Sequence, residues 1–91
     1  MTTTTTTHFT IASITARIAW LSSKYEQEKI DAHAIAYNAR QMSYEHDADD
    51  DVIAAMRADA ARRQKRALAM HAEIGKLYAQ RYALEYSIGR F

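Results

Sequence analysis

Two stretches of this chain carry apolar or small residues at alternating steps of three and four, and one short acidic turn separates them. The first stretch runs through Ile11, Ile14, Ile18, Leu21, Tyr25, Ala32, Ile35, Ala39 and Met42, with Glu28 as its polar break. The second runs through Ile53, Met56, Ala60, Ala67, Met70, Ile74, Leu77, Leu84 and Ile88, broken by Arg63 and Arg81. A three-four rhythm keeps one stripe of a helix turned toward one partner helix. The pattern therefore predicts an all-α fold, an antiparallel two-helix coiled-coil hairpin, with no stretch of period two to suggest a strand.

The boundaries follow from local signals. Thr2–Thr7 is a run of β-branched polar residues with no apolar partner, so residues 1–9 are expected to form a flexible tail ahead of a single domain over 10–91. Thr10 suits an N-cap, with Phe9 and Ile14 at the staple positions around it. No Gly or Pro interrupts the chain from there to about Tyr44. Ser23 and Glu26 match a capping box, which would instead give a three-helix bundle broken near Ser23. The rhythm passes through Ser22 and Ser23 without a phase slip, which favours one continuous helix. The turn is Glu45 to Asp49, and Asp50 and Asp51 open the second helix, where carboxylates oppose the positive end of the dipole. That helix is expected to run to Ile88, with Gly89 as a left-handed C-cap and Arg90 near the negative helix end.

Folding the seams together at the turn stacks Met42 on Ile53, Leu21 on Ile74 and Ile18 on Leu77. In this register Lys24 meets Glu73 and Asp31 meets Arg66 along one edge, both with opposite charge. The register also brings Glu28 and Arg63 within about one turn of each other, as a polar pair that specifies alignment. The other edge, Lys29 with Gln64 and Ala36 with Arg57, carries no such signal.

A single seam leaves a second apolar stripe unexplained on each helix. On the first it includes Ala16, Trp20, Ile30, Ala34, Tyr37 and Tyr44. On the second it includes Ala61, Leu68, Ala72, Gly75, Ala79, Tyr82 and Tyr86, with Tyr78 beside it. Exposed apolar strips of this length mark interfaces. Self-association into a four-helix bundle would cover them, with Gly75 and the alanines permitting close approach, and a homodimer is the expected state. A protein partner would use Trp20, Ile30, Tyr37, Tyr44, Leu68, Tyr78, Tyr82 and Tyr86 as anchors, since aromatic residues dominate binding hot spots.

Composition narrows the function classes. With 91 residues the chain makes one domain, and its formal net charge of +1 gives no general attraction to nucleic acid or membrane. There is no cysteine, no apolar run of membrane-spanning length and no signal-peptide pattern, so a cytoplasmic protein is expected. Arg57, Arg62, Arg63, Lys65 and Arg66 form the densest basic cluster, the candidate for phosphate or acidic-partner contacts. Their positions go round the helix, which predicts weak nucleic-acid binding at most.

His46, Asp47, Asp49 and Asp51 suggest a metal site, but an EF-hand loop from Asp47 would need Gly and Glu where Val52 and Ala58 stand. No Glu-x-x-His pair supports a di-iron site, and His33 and His71 fall on different faces of the expected hairpin. Neither a metal nor any other cofactor is expected. Glycine-rich phosphate loops and Gly-x-Ser-x-Gly elbows are absent, and a straight hairpin offers no concave pocket, so neither an enzyme nor a small-molecule substrate is expected. In size and in its lack of catalytic motifs the chain is similar to small inhibitors from phages and mobile elements, including anti-CRISPR proteins. That likeness involves no residue motif. The expected function is a helical binding protein that occupies a surface of a larger partner. A nucleic-acid-associated protein using Arg57 to Arg66, and a purely structural assembly module, are the alternatives.

Overall fold

The computed structural model describes residues 2–89, which form two long helices and, among the described residues, no strand. Helix α1 spans Thr2–Ser43 and α2 spans Asp50–Gly89. They pack antiparallel into a rod with principal extents of 70 × 15 × 14 Å. Helix α1 passes through Ser22 and Ser23 without a break, so the chain is a two-helix hairpin and not a three-helix bundle.

The turn is closed by one side chain. Asp49 Oδ1 accepts hydrogen bonds from the backbone N–H groups of Asp51 (3.0 Å) and Val52 (3.2 Å), and the Ile53 N–H reaches the Asp49 carbonyl at 3.0 Å. Asp49 is thus the N-cap of α2, satisfying donors that the helix cannot satisfy itself. Asp50 and Asp51 add negative charge in the first turn, where the dipole favours it.

Every predicted seam position from Ile11 to Met42 and from Ile53 to Ile88 is buried or half-buried. Ile18, Leu21 and Ile74 form the central cluster, with Ile14, Tyr25, Met70 and Leu77 packed against it. Toward the turn the buried positions are mostly small: Ala32, Ala39, Ala60 and Ala67, with Ile53 at the end. The register that brings Leu21 to Ile74 and Glu28 near Arg63 sets these alanines opposite larger seam positions, Ala39 opposite Met56, Ala60 opposite Ile35, Ala32 opposite Arg63 and Ala67 opposite Glu28. Pairing small with large fills the space between two helices without forcing them apart.

Several expectations change. The helical backbone already begins at Thr2, so Thr10 lies inside α1 and is not its N-cap. The expected staple falls partly on Phe9, whose side chain lies outside the described set. β-branched residues lower helix propensity by only tenths of a kcal/mol each, so a formed ladder can propagate back through the threonines. At the other end Gly89 remains helical with no positive φ, so it is not a left-handed cap, and Arg90 lies outside the described residues.

The ion pairs also differ. Glu73 pairs with Arg17 at 3.4 Å, not with Lys24. Asp31 pairs with Arg63 at 3.5 Å, not with Arg66, which reaches Glu28 at 3.6 Å. For Glu73 the edge is the expected one, whereas Asp31 turns inward to the seam residue Arg63. On an antiparallel pair each edge residue lies between two edge residues of its neighbour one heptad apart, and apolar register alone does not choose between them. Arg63 also contacts Glu28 at 3.8 Å and Asp59 at 3.3 Å, so the two polar breaks do meet.

Candidate interaction surfaces

The side chains that the seam does not use stay on the outside. Trp20, Ile30, Tyr37, Tyr44, Leu68, Tyr78, Tyr82 and Tyr86 are each about half exposed or more, from 48% at Tyr78 to 75% at Tyr44. Some of this surface is covered by cations of the same helix. Arg17 lies 4.8 Å and Lys24 5.6 Å from the Trp20 ring centroid, and Arg81 lies 4.9 Å from that of Tyr78. Lys24 is thus placed over Trp20 and not against Glu73. Gly75 faces open space, with nothing within 4 Å of where a Cβ would stand.

The stripes of the two helices do not merge into one face. Ile30, Ala34 and Tyr37 share a depression on the back of α1 with Glu26, Lys29, His33 and Asn38, and no α2 residue takes part. Ala61 and Leu68 instead border a groove between the helices, facing Lys29, Ala32, His33 and Ala36 of α1. The heptad explains this. The α1 stripe lies on the back of its helix, with Trp20 leaning toward the Arg17–Glu73 edge, whereas the α2 stripe occupies positions toward the groove edge.

The hairpin is therefore not without concavity, contrary to the expectation for a straight rod. The groove has a volume of about 480 Å³ and its floor is Ala32, Ala60 and Ala67. Tyr25 closes one end and stacks on His71 with ring centroids 5.3 Å apart. His33 lines the groove, whereas His71 reaches it only through its contact with Tyr25. Alanine is the reason for the groove, because a methyl at a seam position fills the gap between backbones but not the trough above it. The signal was present in the sequence as Ala32, Ala36, Ala60, Ala61 and Ala67 at one level of the hairpin. Charge pairing along that edge gave no hint of it.

The basic cluster divides. Arg62, Lys65 and Arg66 line one shallow depression together with Ala69, so they share a side of α2 more closely than the sequence suggested. Arg57 lines the groove on another side, and Arg63 turns into the seam. Carboxylates answer much of this charge: Asp59 lies 3.5 Å from Arg62, and Glu28 and Asp31 hold Arg66 and Arg63.

At the turn, Asp49 serves as a cap. Among the described residues no group of three His, Cys, Asp or Glu side chains is placed to hold a metal ion. Likewise, among the described residues no helix is long and apolar enough to cross a membrane. The chain matches no protein-family model, and no curated protein or solved structure shows significant similarity to it.

Proposed function

We propose that this chain is a non-enzymatic protein-binding module that acts by occupying a surface of a larger partner. The observation that carries this reading is the set of large apolar side chains left exposed. The accessible area is 6966 Å². A folded monomer of 10.4 kDa is expected to expose about 5,400 Å². The rod shape accounts for the excess area but not for its character, since the exposed set includes Trp20, Ile30, Tyr37, Tyr44, Leu68, Tyr78, Tyr82 and Tyr86. Large exposed aromatic groups are the usual anchors of protein interfaces. Inhibition of a host defence complex, in the manner of an anti-CRISPR protein, is the most specific form of this proposal.

The same exposed residues favour a second reading, self-association into a four-helix bundle. Light scattering at micromolar concentration separates the two, because a homodimer scatters with about twice the 10.4 kDa chain mass. Nucleic-acid binding through Arg62, Lys65 and Arg66 has weaker support, since Asp59 and Glu28 already engage two of the three. The test of the first reading is a reconstituted complex with a captured partner. Tyr78→Ala, Tyr82→Ala and Tyr86→Ala should each weaken it by about 1–4 kcal/mol while circular dichroism shows unchanged helix content. Binding that ignores all three tyrosines but falls steeply with salt on oligonucleotides would overturn it.

A further inference from the structure

The groove between the helices is lined by cations without a carboxylate, as is the depression of Arg62, Lys65 and Arg66, but there Asp59 and Glu28 answer two of the three charges. The polar rim of the groove is Lys29, His33, Arg57 and Gln64. At the same level of the rod the opposite edge holds Asp31 and Asp59, bonded to Arg63. Glu28, Asp31 and Asp59 are thus spent on one edge, and Glu26 beside Lys29 is the carboxylate nearest the other, which is left net cationic. Arg17, Arg62, Arg63, Arg66 and Arg81 each meet a carboxylate within 4 Å, whereas Arg57 and, near the turn, Arg40 meet none among the described residues. Lys29 has only Glu26 at 4.0 Å, outside the groove, and the Tyr25 ring at 4.8 Å.

We propose that this groove receives an acidic amphipathic helix of a partner protein, about three turns long. This deepens the protein-binding reading and rests on it. The length follows from the lining, which spans residues 25–36 of α1 and 57–68 of α2, or about 16 Å at 1.5 Å per residue. The floor of alanine methyls allows a third helix axis to approach at ordinary packing distance. An extended peptide fits poorly, because both walls are helices whose backbone groups are already bonded and offer no strand edge. A second copy also fits poorly. A two-fold axis through the groove would set Lys29 and Arg57 against the same residues of the other copy, with no carboxylate lining the site to separate them. The occupant that complements the rim presents leucine or alanine to the floor and glutamate or aspartate to Lys29 and Arg57.

The probe is a fluorescent helical peptide with leucine and alanine on one face and glutamate on both flanks, compared with its lysine-for-glutamate isomer. Anisotropy at low salt should show the glutamate peptide binding at least about tenfold tighter, with the preference shrinking as the ionic strength rises. Arg57→Glu combined with Lys29→Glu should invert the preference, and both sites are exposed, so helix content should be unaffected. Ala61→Trp should fill the groove and block both peptides. Equal binding of the two isomers, no binding by either, or a preference that survives the double charge reversal would overturn the proposal. So would a dimer that Ala61→Trp dissociates, since that assigns the groove to a second copy. A partner complex that depends on Tyr82 and Tyr86 but ignores Arg57 would defeat the groove proposal while leaving the protein-binding reading intact.

Discussion

The two halves of this rod solve the same packing problem differently. Away from the turn, Ile18, Leu21 and Ile74 form one hydrophobic cluster with Ile14, Tyr25, Met70 and Leu77 packed against it. Nearer the turn the buried residues are mostly Ala32, Ala39, Ala60 and Ala67, with Ile35, Met56, Glu28 and Arg63 half-buried along the same seams. A buried isoleucine or leucine contributes about 1.5–3 kcal/mol, and alanine far less. The first half therefore supplies most of the cohesion. The second half supplies alignment, through Arg63 and its three carboxylates, and also the open groove on its far side. A seam built of large residues all the way down would be more stable but would leave no trough. The polar breaks mark where stability gives way to specificity.

The largest expected effect tests the cohesive half. Leu21→Ala should cost about 2–5 kcal/mol in urea unfolding, because it opens a cavity beside Ile18 and Ile74. A loss below 1 kcal/mol would mean that the aliphatic half does not dominate. The next tests the aligning half. Glu28 and Arg63 are both less than a third exposed, and Glu28 Oε2 is buried without a hydrogen bond, at 3.6 Å from Arg66 Nη2. Arg63→Met alone should cost about 1–3 kcal/mol by leaving carboxylates uncompensated, and adding Glu28→Leu should recover much of that loss. A double mutant no better than the sum of the single changes would show that the pair does not act as a unit. The smallest effect lies on the surface. Arg17→Glu should cost only tenths of a kcal/mol, with part restored by Glu73→Arg, whereas Lys24→Glu should show no such rescue. Rescue through Lys24 instead would return Glu73 to the partner that the apolar register first suggested.

How far the sequence carried the fold is visible at particular residues. The seam positions, the unbroken passage through Ser22 and Ser23, the acidic turn and the stacking of Leu21 on Ile74 all follow from periodicity. A three-four rhythm permits one facing stripe, and a short turn permits one antiparallel alignment. Those constraints are local or nearly so, and a linear pattern contains them. Exposure of the second stripes was also legible, since one seam cannot bury two faces. Their failure to merge into one face was not drawn from that pattern, although the heptad positions imply it.

Only the tertiary structure decided what depends on distances between the two helices. It placed Arg17, and not Lys24, on Glu73, because two candidates one heptad apart satisfy the same register. It left Gly89 helical, because glycine permits a left-handed cap without requiring one. Above all it turned scattered alanines into a groove. A trough exists only where small residues from both helices come to one level, and neither helix contains it alone.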